Sequence, residues 1–304
     1  MGARLPEGVQ VLERGWLSSN NIVFSDPELA TVVDTGHGRH RAQTLALVND
    51  ALQGQPLRRI INTHLHSDHA GGNAVLQAAH DCQTLIPPGL ADAVDAWDET
   101  RLSYTGTSQH CERFRYDAVL TLGQTLRLGR HDWQVLPAKG HDHEMVMLWC
   151  DALGTLISAD ALWEKGFGVI FPELVGESGF AEQKATLDLI SQLAPALVIP
   201  GHGAPFTAVE AALQNAQARV RWLADDPKRN ADNAIRALLA FKLMADGRLS
   251  LPDIAGLISG SLLSSPATRV HYPADPELLS EAFATQLVKA GAAVRQGEYL
   301  LPTA

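Results

Sequence analysis

The chain of 304 residues has only three cysteines, Cys82, Cys111 and Cys150. None sits in a C-x-x-C pair, and an odd number cannot pair fully within one chain. The expectation is three reduced thiols and a cytoplasmic location. Basic residues are also scarce: 24 Lys and Arg face 34 Asp and Glu, for a formal net charge of −10. Nucleic-acid binding relies on Lys and Arg neutralising phosphates. The densest basic pieces here are Arg39-His40-Arg41 and Lys228-Arg229, so the balance argues against that partner. No apolar stretch approaches the length of a membrane span. Met1 to Gln10 contains no apolar signal-peptide core. Internal repeats and low-complexity tracts are absent.

Apolar residues make up 46% of the chain and charged residues 19%, which supplies a sizeable core. The length suits one large domain of roughly 200–250 residues plus a small one. Short apolar runs recur as strands: Asn20 to Phe24, Leu29 to Asp34, Leu57 to Asn62, Thr84 to Ile86, Val146 to Trp149, Thr155 to Ser158 and Ala196 to Pro200. Thr125 to Gly129 and Trp133 to Leu136 alternate like paired strands. Helical patterns are interposed at Arg41–Leu52, Gly71–Ala79 and Phe180–Leu193. Leu90–Leu102 reads as a further helix, in a stretch expected to act as a flap over the site. Two sheets covered by helices would bury such runs.

Seven residues stand out: His64, His66, Asp68, His69, His141, Asp160 and His202. The first four share the string Thr63-His64-Leu65-His66-Ser67-Asp68-His69. In an extended loop, side chains at i and i+2 point the same way, so His64 and His66 can grip one ion together. Asp68 and His69 follow the turn, where the chain can swing toward a second ion. Imidazole nitrogen suits borderline divalent metals, and carboxylate oxygen suits harder or shared positions. All seven follow strands, on loops held by a rigid frame, where catalytic groups are usually found.

The string resembles the H-x-H-x-D-H signature of the metallo-β-lactamase fold superfamily, over roughly Val9 to Phe206. Val32-Val33-Asp34-Thr35-Gly36 is similar to its early Asp-x-Gly turn. Gly140-His141, Ser158-Ala159-Asp160 and Pro200-Gly201-His202-Gly203 resemble its later motifs. The resemblance implies an α/β fold, an αββα sandwich, with a glyoxalase II-like ligand set. It implies two divalent metal ions, zinc foremost, with iron or manganese as alternatives. His64, His66 and His141 would bind the first ion, and Asp68, His69 and His202 the second. Asp160 would bridge both, and Asp34 would orient a ligand from behind. His143 and Glu144 depart from the usual pattern, which leaves the local loop shape and the substrate fit open.

The chemistry implied is hydrolysis by a metal-bridging hydroxide, with Asp68 as the catalytic carboxylate. No separate Ser or Cys nucleophile is required. The β-lactam hydrolases of the superfamily often carry Cys where this chain has Asp160, and nucleases of the tRNA-processing type need a basic arm. A carboxylic ester, thioester or lactone is therefore the expected small-molecule substrate. A phosphodiesterase or ribonuclease is one alternative, and a mono-iron sulfur dioxygenase another. The run Leu162-Trp163 and Phe167 to Pro172 is a candidate lining for an acyl pocket.

Past Pro205 the pattern turns helical: Thr207–Ala224, Ala231–Met244, Leu251–Ile258 and Pro276–Ala290, then a terminal β-hairpin. Residues 1–206 are expected to form the catalytic domain and 207–304 a helical linker with a winged-helix-like unit. From Asp226 onward eight acidic residues balance eight basic ones, so the unit has no nucleic-acid footprint. A structural role or a homodimer face is the expectation there.

Overall fold

The computed structural model describes residues 4–303. Six strands form the first sheet in the order β1 (Val9–Leu12), β2 (Asn21–Phe24), β3 (Thr31–Val33), β4 (Arg59–Ile61), β5 (Gln83–Ile86) and β6 (Ala118–Val119). Its first three strands pair antiparallel, and β3 to β6 run parallel. The second sheet uses β7 (Thr125–Leu128), β8 (His131–Pro137), β9 (Val146–Cys150), β10 (Thr155–Ala159) and β11 (Leu197–Pro200). Its order is β11-β10-β9-β8-β7.

Side-chain alternation explains why the two sheets stack. On β3 and β4, Val33 and Ile61 face inward and meet Trp133, Val135, Leu148 and Ile199 of the second sheet. Their neighbours Val32 and Ile60 face outward, onto Val48, Leu52 and Leu76 of helices Arg41–Leu52 and Asn73–His80. The outer face of the second sheet does the same, with Met147, Leu156 and Val198 under Leu187 and Ile190 of helix Phe180–Leu193. Strands apolar on both faces need two covers, and the result is a four-layer αββα sandwich. Each fully buried Val, Leu or Ile contributes roughly 1.5–3 kcal/mol.

Helix Val209–Ala224 also lies on the second sheet, through Val209, Leu213, Ala216 and Val220. The chain then breaks at Asp225 to Pro227. Beyond it, helices Lys228–Asp246, Leu251–Leu257 and Pro276–Lys289 enclose a separate core with Ile235, Leu239, Phe283 and Leu300. A small antiparallel sheet closes this region, formed by β12 (Leu249–Ser250), β13 (Ala293–Gln296) and β14 (Tyr299–Pro302). The helical region and terminal hairpin occur where the sequence places them.

The expected Leu90–Leu102 helix is shorter, ending at Ala96 with Trp97 in the left-handed conformation. The stretch after it is packed down. Leu102 and Tyr104 are buried with Leu65, and Tyr104 Oη donates to the Leu65 carbonyl at 2.8 Å. These contacts make the segment a fixed wall rather than a free flap.

Candidate metal centre

One edge of the sandwich gathers five strand ends. β3 and β4 are parallel neighbours; β10 is parallel to β11, and β8 and β10 each run antiparallel to β9. All five therefore deliver their C-terminal ends to the same side within their sheets. Asp34 follows β3, the His64–His69 loop follows β4, His141 follows β8, Asp160 follows β10 and His202 follows β11. Backbone bonds lock the two sheets together at this edge. Val146 donates to Thr63 O at 2.9 Å, and Asn20 to Gly201 O at 2.7 Å.

All seven candidate residues converge there. Ligand atoms of His64, His66 and His141 lie within 4.8 Å of one another, as do those of Asp68, His69 and His202. A third group, His64, His69 and Asp160, joins the two at the same spacing. Asp160 sits between the triads. Its Oδ1 lies 3.5 Å from His69 Nε2, while its Oδ2 lies 3.5 Å from His141 Nε2 and 3.9 Å from His202 Nε2. His202 Nε2 also meets Asp68 Oδ2 at 3.1 Å.

Two of the ring nitrogens facing away from this centre are anchored. His141 Nδ1 donates to Val169 O at 2.6 Å, and His69 Nδ1 donates to Asp34 Oδ2 at 2.8 Å. Such bonds fix the ring and leave the other nitrogen for a cation. His64 Nε2 and His69 Nε2 are buried without any hydrogen-bond partner. Unsatisfied buried nitrogens of this kind are costly, and cations among them would satisfy both. The donor set of five imidazoles and two carboxylates fits borderline divalent metals.

Electrostatics support the same assignment. Burial, then the neighbouring His69, His66 and His141, holds His64 well below the usual imidazole range. Burial and His66 bring His141 down to about 4. Both are therefore neutral at pH 7, the state that binds metal. Burial alone would protonate Asp160 and Asp68, but the surrounding imidazoles outweigh it and hold both carboxyls low. His69 goes the other way: against the effect of burial, Asp160, Asp34 and Asp68 raise it well above its ordinary value.

Beside the cluster opens a cavity of about 1000 Å³. Trp163, Phe167, Val169 and Phe171 line it, whereas Leu162 and Ile170 of the same run are buried in the core. Trp163 also donates its Nε1 hydrogen to Asp160 Oδ1 at 3.2 Å. Trp16 stacks on His202 with ring centroids 5.6 Å apart, Phe241 of helix Lys228–Asp246 meets the same ring edge-on at 6.5 Å, and Met244 of that helix also lines the cavity. Trp16, Phe241 and Met244 carry no motif in the sequence. His143 stays off the centre, bonded to Glu177 at 2.9 Å.

Residues 14–202 match the Metallo-beta-lactamase superfamily. The chain belongs to this superfamily. A hydroxyacylglutathione hydrolase of Methylococcus capsulatus is 26% identical over 256 residues, covering 83% of this chain and 86% of that one. A hydroxyacylglutathione hydrolase of Rhodospirillum rubrum is 26% identical over 204 residues, covering 67% and 66%. Among solved structures, a metallo-beta-lactamase family protein of Thermus thermophilus matches with a TM-score of 0.58 at 17% identity, over 99% of this chain and 100% of that one. This likeness concerns the fold alone. The metallo-beta-lactamase superfamily member described here is a metal-dependent hydrolase, and its fold is the α/β sandwich expected from the sequence. Among its described residues, no helix is long and apolar enough to cross a membrane.

Proposed function

We propose that this protein hydrolyses a carboxylic ester, thioester or lactone, with thioesters foremost, at a site holding two divalent ions. One observation carries the reading: Asp160 lies between two triads of ligand atoms, beside a large cavity walled by aromatic and aliphatic side chains. The relatives named as hydroxyacylglutathione hydrolases, which cleave a thioester, support the thioester class.

His64, His66 and His141 would hold the first ion and Asp68, His69 and His202 the second, with Asp160 available to both. When bound, zinc (or iron or manganese) supplies Lewis acidity and lowers the pKa of coordinated water to about 7. The chain's own groups do the rest. Asp68, beside His69 and His202, would orient the attacking water and take its proton. A C–O bond forms at the carbonyl carbon, the C–S bond breaks, and the proton passes to the departing thiolate. Trp163 holds the Asp160 carboxylate in place. Trp16, Phe171 and Phe241 offer an apolar bed for the acyl group and keep bulk water from it. Three free, buried thiols support a reducing compartment such as the cytoplasm. The winged-helix-like C-terminal region, which follows helix Val209–Ala224, serves as a pocket wall rather than a nucleic-acid reader.

The test combines metal analysis with a substrate panel of thioesters, lactones and bis(nitrophenyl) phosphate. Two zinc ions per chain with thioester or lactone turnover, abolished by chelator, is the expected result. One iron with oxygen consumption, or phosphodiester cleavage alone, overturns the reading.

A further inference from the structure

Arg219 is a cation without a partner. It projects from helix Val209–Ala224 into the wall of the large cavity. Its Nε is buried and bonds to nothing. Among the described residues no carboxylate pairs with it, and the charge nearest in effect is another cation, Arg236. Burial and Arg236 together push its proton affinity below the ordinary guanidinium range. Its guanidinium carbon lies 5.4 Å from the centre of the Phe167 ring, a contact that steadies the side chain but supplies no counter-charge. Leaving a half-buried guanidinium uncompensated is unfavourable, and the native fold does so at the wall of a large, mainly apolar cavity.

The position relative to the metal centre is set by two adjacent residues. Phe167 touches Arg219, and the next residue, Gly168, packs so tightly on the His141 imidazole that an added Cβ would collide with it. The Phe167–Gly168 peptide thus links the guanidinium's aromatic contact to the outer, Nδ1 side of the His141 ring. Asn233 lies on the same cavity wall and offers an amide donor. Glu164 and Lys165 also border the cavity, but both are exposed and carry opposite charges.

We propose that Arg219 is the receptor for an oxyanion, a carboxylate or phosphate, carried by the substrate on an apolar chain away from the reacting carbonyl. The inference rests on the hydrolytic reading above and narrows its substrate class. Guanidinium presents a planar fork of donors that matches carboxylate and phosphate geometry. A charge-assisted contact in a partly dry site is worth roughly a 10–100-fold preference over a neutral isostere. Arg219 touches no reacting atom, so it acts as a specificity-determining residue and its loss appears mainly in KM.

Two matched substrate pairs test this. One is the suberoyl thioester of N-acetylcysteamine against its methyl ester; the other is butyryl 6-mercaptohexanoate against its methyl ester. Together they place the charge on either side of the scissile bond. The wild-type protein is expected to prefer the charged member of at least one pair by about tenfold or more in kcat/KM. In Arg219→Met that ratio falls toward one, and Arg219→Lys restores part of it. A separate binding measurement uses tryptophan emission of metal-free protein, since Trp16 and Trp163 line the cavity. Octanoate or octyl phosphate should quench it and octanol should not, with the response lost in Arg219→Met. The two anions distinguish a carboxylate from a phosphate preference. Anion binding that depends on Arg219, with no ester or thioester turned over, sinks the hydrolytic reading and keeps this one. Turnover without any charge preference, or a preference that survives in a folded Arg219→Met, overturns the inference and leaves hydrolysis standing.

Discussion

Asp34 and His69 are 35 positions apart in the chain, and their side chains meet at 2.8 Å. The carboxylate is itself held on three sides, because Thr63 donates its backbone N–H to Oδ1 at 2.8 Å and its hydroxyl to Oδ2 at 2.7 Å. Asp34 thus ties the end of β3 to the loop after β4 and decides which nitrogen of His69 faces Asp160.

Replacing Asp34 by Asn should therefore weaken metal binding rather than unfold the chain. The backbone has φ +56 there, which Asn tolerates. An amide nitrogen in place of Oδ2 would face two donors, so His69 would turn its proton toward the metal side. Metal affinity is expected to fall roughly 10–100-fold. Chelator competition measures it, and circular dichroism should show an unchanged fold.

Asp68→Ala should reduce turnover by roughly 10²–10⁴-fold, the usual share of a positioned acid or base. Metal content must be measured on the same sample, because Asp68 also belongs to a ligand triad. Full activity in metal-loaded Asp68→Ala would show that another group moves the proton.

Gly201 packs against the centre from the β11 side. An added Cβ would collide with Asp160 Oδ1 and lie 3.0 Å from His69 Cε1. Gly201→Ala is thus expected to displace Asp160, lower metal content and cost about 1–3 kcal/mol of stability by overpacking. Calorimetry with and without added zinc separates the two effects: the zinc-dependent gain in Tm should shrink along with the Tm itself.

Asn230 joins the C-terminal region to the cavity wall. Its Nδ2 donates to Ile170 O at 2.8 Å, and Ile170 N donates to its Oδ1 at 3.4 Å. Asn230→Ala leaves those backbone groups buried and unpaired, a loss of about 1–3 kcal/mol. Because Phe171 and Val169 flank Ile170 in the wall, KM should rise more than kcat falls. Steady-state kinetics alongside a denaturant melt checks both.

The thiols should be inert in the native protein. Burial, as the leading cause, pushes Cys82 up to about 11 and Cys111 up to about 12, and it also raises Cys150. Only the thiolate reacts, and at pH 8 a group with pKa 11 is ionised to roughly one part in a thousand. Raising the pH through 8 to 9 should still give little labelling. Dithionitrobenzoate should find no rapid thiol before unfolding and three after it.

Much of the centre is legible from the sequence because its ligands follow short apolar runs. A four-residue apolar run such as Leu197 to Pro200 is too short for a helix and is best buried as a strand inside a covered sheet, so the polar residues after it emerge at the strand's end. The Leu90–Leu102 segment shows the opposite case. Its helical spacing is real over Ala91–Ala96, yet the chain then leaves the helix so that Leu102 and Tyr104 can pack with Leu65. Local periodicity carries no information about that tertiary contact.

The order of ligands along the chain, their chemical types and the strands that carry them were determined by the sequence alone, since each depends on neighbours within a few residues. Three-dimensional packing alone decided that Asp160 would lie between two triads, that Trp16 would cover His202, and that Arg219 would line the cavity with no ion-pair partner among the described residues. Those relations join segments up to about two hundred residues apart, and their geometry is set by how two sheets and a distant helix stack, which no local pattern encodes.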